Sequence, residues 1–177
     1  EAPPEIPRVS SSNSSGLYTI NVSFSRMDFA INNIEKGLKE VDITSDFISK
    51  SKLIIKNLPD NIYLNRIGII GSFFEFEKSP AISLARKIIK KDLGNVSEFN
   101  FRYNKLSSDF GHTFNNILSI NNAIFEAENA SHHSEGILIQ KDINNIPTEN
   151  PISKDLLIEM LLKKIKELGT EHIEGSL

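Results

Sequence analysis

Alternating apolar and polar residues define the first predicted strand of the chain. Tyr18, Ile20, Val22 and Phe24 are apolar or aromatic, and the residues between them are polar. A period of two residues predicts a β-strand with one face in water, which is typical of antiparallel sheets.

Two stretches with helical spacing follow this strand. In the first, Asp28 is positioned to cap a short helix. The apolar residues at helical spacing in this helix are Ile31, Ile34, Leu38 and Val41. The second begins near residues 44–46 and is stopped by Pro59. The pattern therefore predicts two consecutive helices between the first strand and the next.

Residues 62–77 are rich in β-branched and aromatic side chains, which predicts a long central strand bent or bulged at Gly68 and Gly71. Ser79 and Pro80 then provide a helix start, and Gly94 provides a stop. An apolar stripe with helical spacing lies between them. We predict a helix over residues 80–93.

The C-terminal third predicts a three-stranded meander and a closing helix. The strands cover residues 97–104, 113–127 and 136–143, and the link at 108–111 is typical of a hairpin. Ser153 is the predicted N-cap of the last helix and Gly169 its stop. The residues that we expect this helix to bury are Leu157, Leu161, Ile165 and Leu168.

The predicted fold class is α+β, with a mainly antiparallel sheet of about five strands and three to four helices packed on one face. Residues 1–16 contain three prolines and a serine-rich stretch, which indicates an extended arm or linker. Residues 17–177 are then a single α+β domain, a length that suits one core. We expect the arm to follow an upstream segment of a larger protein.

The amino-acid composition limits which classes of partner and which cellular compartment are expected. The 177 residues carry a formal net charge of -3, which gives no general attraction to nucleic acid or to an anionic membrane. No apolar run approaches the roughly 18–20 residues that span a bilayer, so no membrane partner is expected. The absence of cysteine excludes disulfides and sulfur-ligated zinc, and it is compatible with a cytoplasmic location. The frequent Ile, Lys and Asn suggest a bacterial or phage genome.

The loop at residues 127–136 contains two adjacent histidines and is the first candidate site. Its potential metal or proton-transfer groups are His132, His133 and Glu135. Adjacent residues on a strand point to opposite faces, and His112 is expected at the other end of the 113–127 strand. The zinc deaminase signature also needs cysteines that the chain lacks. A polar loop without a metal is therefore the leading interpretation, and a metal or acid–base site is the alternative.

Sequence motifs for nucleotide binding and nucleophilic catalysis are absent. The chain has neither a phosphate-binding glycine-rich loop nor a G-x-S-x-G nucleophile elbow. We therefore predict no cofactor and assign no catalytic residue, while a site assembled from distant residues stays open.

Two further groups of residues are candidate contact surfaces. Arg86, Lys87, Lys90 and Lys91 lie on the outer side of the predicted 80–93 helix. Cations near a helix C-terminus stabilise any helix, so a solvated helix face is the leading interpretation and nucleic-acid binding the alternative. The second group is the asparagine row of the 113–127 strand, which is unusual because asparagine is a poor strand former. Its partner-binding candidates are Asn115, Asn121 and Asn122.

Arg66 is a charge within an otherwise apolar strand. An isolated charge there is costly, so we expect it either at an exposed strand end or paired with Asp28, Glu75 or an anionic ligand.

The leading functional hypothesis is a non-catalytic protein-interaction or assembly domain of a larger bacterial or phage protein or complex. It contacts a protein partner, or a second copy of itself, through an open sheet face or strand edge. One alternative is an enzyme or small-ligand binder that uses Arg66 with Asp28, or the His132–His133 loop. The other is weak nucleic-acid binding by residues 86–91.

Overall fold

The computed structural model describes residues 3–32, 39–125 and 134–169. Contacts between Cα atoms divide the chain into two compact units, residues 1–62 and 63–177. This division differs from the boundary predicted after residue 16, because residues 9–12 form a strand that pairs with the next one. Proline and serine content alone therefore does not mark the edge of a structural unit here.

The first unit contains a three-stranded antiparallel sheet and one helix. Strands β1 (Val9–Ser12), β2 (Tyr18–Val22) and β3 (Met27–Ile31) lie in chain order, followed by helix α1 (Glu40–Asn57). The Phe29 ring stacks on Phe47 with centroids 5.4 Å apart, so an aromatic contact joins β3 to α1. The first predicted strand corresponds to β2 and the second predicted helix to α1, so both predictions are confirmed.

Polar groups also join the sheet of this unit to its helix. The Tyr18 hydroxyl donates to Asp46 Oδ2 at 2.6 Å, and Lys50 Nζ donates to Asp46 Oδ1 at 2.6 Å. The hydrogen bond to Asp46 raises the pKa of Tyr18. Hydrogen bonds from Lys50 and Tyr18 lower the pKa of Asp46. The three side chains thus hold one another in place and anchor α1 to β2.

The helix predicted to begin at Asp28 is wrong at its start. Residues 27–31 form β3, in which Phe29 lies opposite Ile20 and Ile31 opposite Tyr18. Phe29 and Ile31 also fit an alternating pattern, and pairing with β2 places both on one face of a sheet. Pairing with β2 therefore outweighs the helical spacing of Ile31. Ile34 and Leu38 lie outside the described residues.

The second unit is a four-stranded antiparallel sheet with two helices. Its strands lie in the order β4-β7-β6-β5, so β4 and β5 are the edges. The elements, in chain order, are β4 (Gly68–Phe76), α2 (Pro80–Ile89), β5 (Asn100–Asp109), β6 (His112–Phe125), β7 (Ser134–Asn145), α3 (Lys154–Lys164) and a 3₁₀ turn (Ile165–Leu168).

The α+β class is confirmed, but the described residues form two antiparallel sheets with seven strands and three helices rather than one sheet of about five strands. The long strand predicted over 62–77 begins at Gly68 and pairs with β7 in continuous register, without the bulge expected at its glycines. Helix α2 ends four residues before the predicted 93, with Lys90 as a left-handed C-cap.

Helix α2 covers one end of the sheet. Its Leu84 and Ala85 are each 1% exposed and pack with Leu118, Ile120 and Ile137 of the two central strands. Alternation along β6 and β7 places these strand residues on a single side, which we call the helix face. Burial of this apolar stripe fixes α2 on the sheet.

Helix α3 covers the other end of the helix face. The Ser153 hydroxyl accepts from the Leu156 amide at 3.2 Å, which confirms the predicted N-cap. The residues expected to turn inward are all buried, namely Leu157, Leu161, Ile165 and Leu168. Near them, the Ile143 and Phe114 side chains are each 1% exposed on the sheet.

Asn145 fastens the segment before β4 to the end of β7. Its side chain is fully buried; Oδ1 accepts from the Ile67 amide at 2.7 Å, and Nδ2 donates to the Asn65 and Ile146 carbonyls at 3.2 and 2.9 Å. A buried amide with three partners is satisfied, and it adds to the backbone hydrogen bond that the Asn145 amide donates to the Ile67 carbonyl at 3.2 Å, just before β4 begins.

The β5–β6 hairpin has a two-residue turn. Asp109 pairs with His112, and the residues between them, Phe110 and Gly111, both have positive φ, 53° and 74°. Two consecutive positive φ values are characteristic of a type I′ turn, whose twist matches that of the flanking strands. This turn confirms the hairpin link predicted at 108–111 and sets the register of β5 against β6.

In the described part of the chain, no helix combines the length and the apolarity needed to cross a membrane.

Candidate functional site

The side of the second sheet opposite α2 and α3 is a candidate contact surface, which we call the open face. Alternation places Ile70 and Phe76 of β4, Ser119 of β6 and Leu106 of β5 on this side. Ile70, Phe76 and Leu106 are 60%, 67% and 61% exposed. Ile70 and Phe76 lie on one edge strand and Leu106 lies on the other, so the exposed apolar residues occupy both edges of this face.

An aromatic cluster lies at one end of the open face. The Phe74 ring centroid lies 5.2 Å from that of Phe76 and 5.7 Å from that of Phe125. Gly136 lies beside it, and a Cβ atom there would stand 2.5 Å from Phe74 Cζ and 2.3 Å from the Glu75 carbonyl oxygen. The absence of a side chain at 136 therefore allows the Phe74 ring to pack against β7.

Three asparagines form a hydrogen-bonded row at the other end of the open face, which we call the asparagine ladder. Asn104 Nδ2 donates to Asn115 Oδ1 at 2.8 Å, and Asn115 Nδ2 donates to Asn144 Oδ1 at 3.1 Å. Arg66 also donates to Asn144 Oδ1, at 2.9 Å. The ladder crosses β5, β6 and β7, so it holds the strands in register and leaves a polar strip on the surface.

Two of the three predicted asparagines lie on the open face and one does not. Asn115 and Asn121 have odd positions on β6 and share that face. Asn122 lies on the helix face, where its Oδ1 accepts from the Phe99 amide at 2.7 Å. Adjacent strand residues point to opposite sides, so grouping Asn121 with Asn122 was wrong.

Arg66 and Asp28 each have a partner within their own units. Arg66 bonds Asn144, and Asp28 Oδ2 forms an exposed ion pair with Arg26 Nε at 3.0 Å. Arg66 is exposed, as expected for a strand end. Asp28 lies in the first unit and Arg66 in the second.

The predicted histidine site lies mostly outside the described residues. His132 and His133 are among residues 126–133, while Glu135 is exposed on β7. His112 lies at the start of β6. Within residues 3–32, 39–125 and 134–169, no group of three potential metal ligands comes together.

The predicted basic face lies on the exposed side and end of α2. Arg86, Lys87, Lys90 and Lys91 are all exposed, and Arg86 Nη2 lies 3.4 Å from Asp92 Oδ2. Because Asp92 offsets part of the positive charge, the net cationic character of this face is smaller than the sequence suggested.

The sequence analysis missed a cleft of about 510 Å³ between the helix face and the end of α3. We call it the lysine cleft, because its lining includes Lys105 of β5, Lys141 of β7, and Lys163 and Lys164 of α3. Tyr103, Ser107 and Asn116 add polar groups, and Asp109 and Glu167 are its carboxylates.

The carboxylates hold two of these lysines. Asp109 Oδ1 lies 2.9 Å from Lys163 Nζ, and its Oδ2 lies 3.0 Å from Lys164 Nζ, which also lies 2.9 Å from Glu167 Oε1. Hydrogen bonding to Lys163 lowers the pKa of Asp109. Burial opposes the charge of Lys164, but its hydrogen bonds to Glu167 and Asp109 outweigh this effect and raise its pKa.

Lys141 has a different environment. It lies on a central strand, half-buried on the helix face, and its ammonium donates to the Glu167 carbonyl. Burial lowers its pKa, although the Glu167 carboxylate acts in the opposite direction. The signal in the sequence was the position of Lys141 in GILIQKDI, where alternation places it on the same side as Ile137 and Ile139.

No family model matches the chain, and no significant similarity to a curated protein or to a solved structure was found.

Proposed function

We propose that this chain is a non-catalytic assembly domain, part of a larger bacterial or phage complex in the cytoplasm, in which the open face binds the same face of a second copy. The observation that carries this proposal is the exposure of Ile70, Phe76 and Leu106 on the side of the sheet away from α2 and α3. Association would remove this apolar surface from water.

The polar residues of the open face favour a second copy over an unrelated protein. A side-chain amide has both donors and acceptors, so a row of asparagines is complementary to itself across a two-fold axis. The charges on the face include Arg102 on β5 and Asp142 on β7, which are opposite in sign. In a two-fold pairing that sets Arg102 of one copy opposite Asp142 of the other, these charges attract each other.

The size of the face sets the expected affinity. Four strands about 4.8 Å apart and about ten residues long cover roughly 19 Å by 33 Å, or about 600 Å² per copy. Two such faces together bury about 1,200 Å², at the lower end of stable protein interfaces. We therefore expect reversible association at micromolar concentration.

Sedimentation equilibrium of the full chain, with matched substitutions, tests the proposal. Ile70→Lys introduces a charge on the open face, whereas Ile124→Lys introduces one at a residue of similar exposure, 65%, on the opposite side of the same sheet. We expect a dimer that Ile70→Lys weakens by about tenfold or more, and that Ile124→Lys leaves unchanged.

Ser119→Lys, at the centre of the open face, provides a second test at a small side chain. A wild-type chain that is monomeric at several hundred micromolar would overturn the proposal. Equal weakening by Ile124→Lys would also overturn it, because the contact would then not use the open face.

The two alternative functions stay predictions. Weak nucleic-acid binding by Arg86, Lys87, Lys90 and Lys91 requires salt-sensitive retention on immobilised nucleic acid, lost on Lys87→Glu with Lys91→Glu. An enzymatic or metal role for His132 and His133 requires metal in the purified protein that the double alanine variant loses.

A further inference from the structure

The lysine cleft carries positive charge in a chain that is acidic as a whole. Four lysines against two carboxylates leave its lining with a formal charge of +2, whereas the full chain has -3. Among the described residues, the ion pairs of the cleft involve only Lys163 and Lys164. Lys105 and Lys141 therefore supply the excess positive charge.

Lys141 occupies a position where an apolar residue would serve the fold better. Its cross-strand neighbours on the helix face are Leu118 and Gly71, and an apolar side chain would pack with Leu118. Keeping a half-buried ammonium there costs free energy, since burial disfavours the charged form. A half-buried lysine that lines a cleft is a candidate ligand-binding residue, and the ammonium of Lys141 is held at the cleft by the Glu167 carbonyl.

The shape and chemistry of the cleft suit a small anion. Its volume of about 510 Å³ is within the range of sites for small molecules, roughly 300–1,000 Å³. The Asn116 amide, which donates to the Lys105 carbonyl and to Ser107 Oγ, fixes the wall between Lys105 and Ser107. Lysines are common phosphate ligands, and a formal charge of +2 matches a phosphate dianion.

We infer that the lysine cleft binds a small phosphate-bearing molecule, with Lys141 and Lys105 as the cationic ligands of the phosphate and Tyr103 as an additional hydrogen-bond donor. Lys163 and Lys164 have a structural role, because their ion pairs with Asp109 and Glu167 hold them at the wall of the cleft. The cleft lies on the helix face and the proposed assembly surface on the other side of the sheet, so each proposal stands or fails without the other.

Isothermal titration calorimetry of the full chain with inorganic phosphate and with pyrophosphate tests this inference. We expect binding of at least one of the two, weakened about tenfold or more by Lys141→Met. Lys141→Arg keeps the charge and should stay within about threefold of wild type. The matched control is Lys87→Met, which removes the same charge from an exposed position on α2 and should leave the affinity unchanged.

Thermal unfolding separates lost binding from lost folding. Lys141→Met should have an unfolding midpoint at or above that of wild type, because it replaces a half-buried charge with an apolar side chain of similar length. If it does not fold, Lys105→Met serves instead, because Lys105 is exposed on an edge strand, and it should weaken binding about threefold or more.

Three results would overturn the inference. The first is the absence of binding of either phosphate probe at low ionic strength. The second is equal weakening by Lys87→Met, which would indicate attraction to the general surface charge. The third is equally tight binding of succinate, which would show that the cleft does not select phosphate.

Discussion

Replacing Asn145 with alanine tests the described structure most directly. The change deprives the Ile67 amide and the Asn65 and Ile146 carbonyls of a partner. A buried donor without a partner costs about 1–3 kcal/mol. The Asn65 carbonyl also accepts from Thr148, and Ile146 is 47% exposed, so each carbonyl loses less, about 0.5–1 kcal/mol. We expect Asn145→Ala to lower the free energy of unfolding by about 2–5 kcal/mol.

Urea denaturation followed by far-ultraviolet circular dichroism measures this loss. Amide hydrogen exchange provides a local readout, since the Ile67 amide should lose protection in the variant. The control is Asn104→Ala, which removes one side-chain hydrogen bond at an exposed position and should cost less than about 1 kcal/mol. A loss below 1 kcal/mol for Asn145→Ala, or one equal to that of Asn104→Ala, would refute the role assigned to Asn145.

Two further predictions concern a close approach and an ion pair. Gly136→Ala should destabilise the second unit by about 1–3 kcal/mol in the same urea assay, because the new Cβ would overlap the Glu75 carbonyl. Gly68→Ala, whose Cβ would lie 3.6 Å from its nearest neighbour, should have no such effect, and equal losses would contradict the steric explanation. For Asp109, the pKa of the carboxyl is lowered in the folded protein from its ordinary value of 3.8. Its ion pairs therefore stabilise the fold at pH values above 3.8, and this stability is lost as the pH falls through the lower pKa of the folded state. Asp109→Asn should flatten that part of the acid unfolding curve, and an unchanged slope would count against the ion pairs.

The elements predicted best were those whose signals are local. Ser153 caps α3 and Leu157 and Leu161 turn inward because a cap and a helical stripe depend only on neighbouring residues. The hairpin at Phe110 and Gly111 was found for the same reason. The strand at residues 27–31 was not predicted, because it depends on pairing with β2, and the helical spacing of its residues does not reveal that pairing.

The candidate sites were harder to predict than the elements. Lys105, Lys141 and Lys163 are far apart in sequence and meet only because β5, β6 and β7 pair in register and α3 packs across them. Strand alternation alone, applied consistently, would have separated Asn121 from Asn122 and indicated that Lys141 shares a face with core residues.

The two-residue turn at Phe110 and Gly111 links the two surfaces of the second sheet. It sets β5 so that Asn104 reaches the ladder on one side while Tyr103 and Lys105 reach the cleft on the other. One residue inserted into β5 beside the turn would exchange the two sets between faces. The length of this hairpin therefore constrains both surfaces together, so neither can change its register in evolution without altering the other.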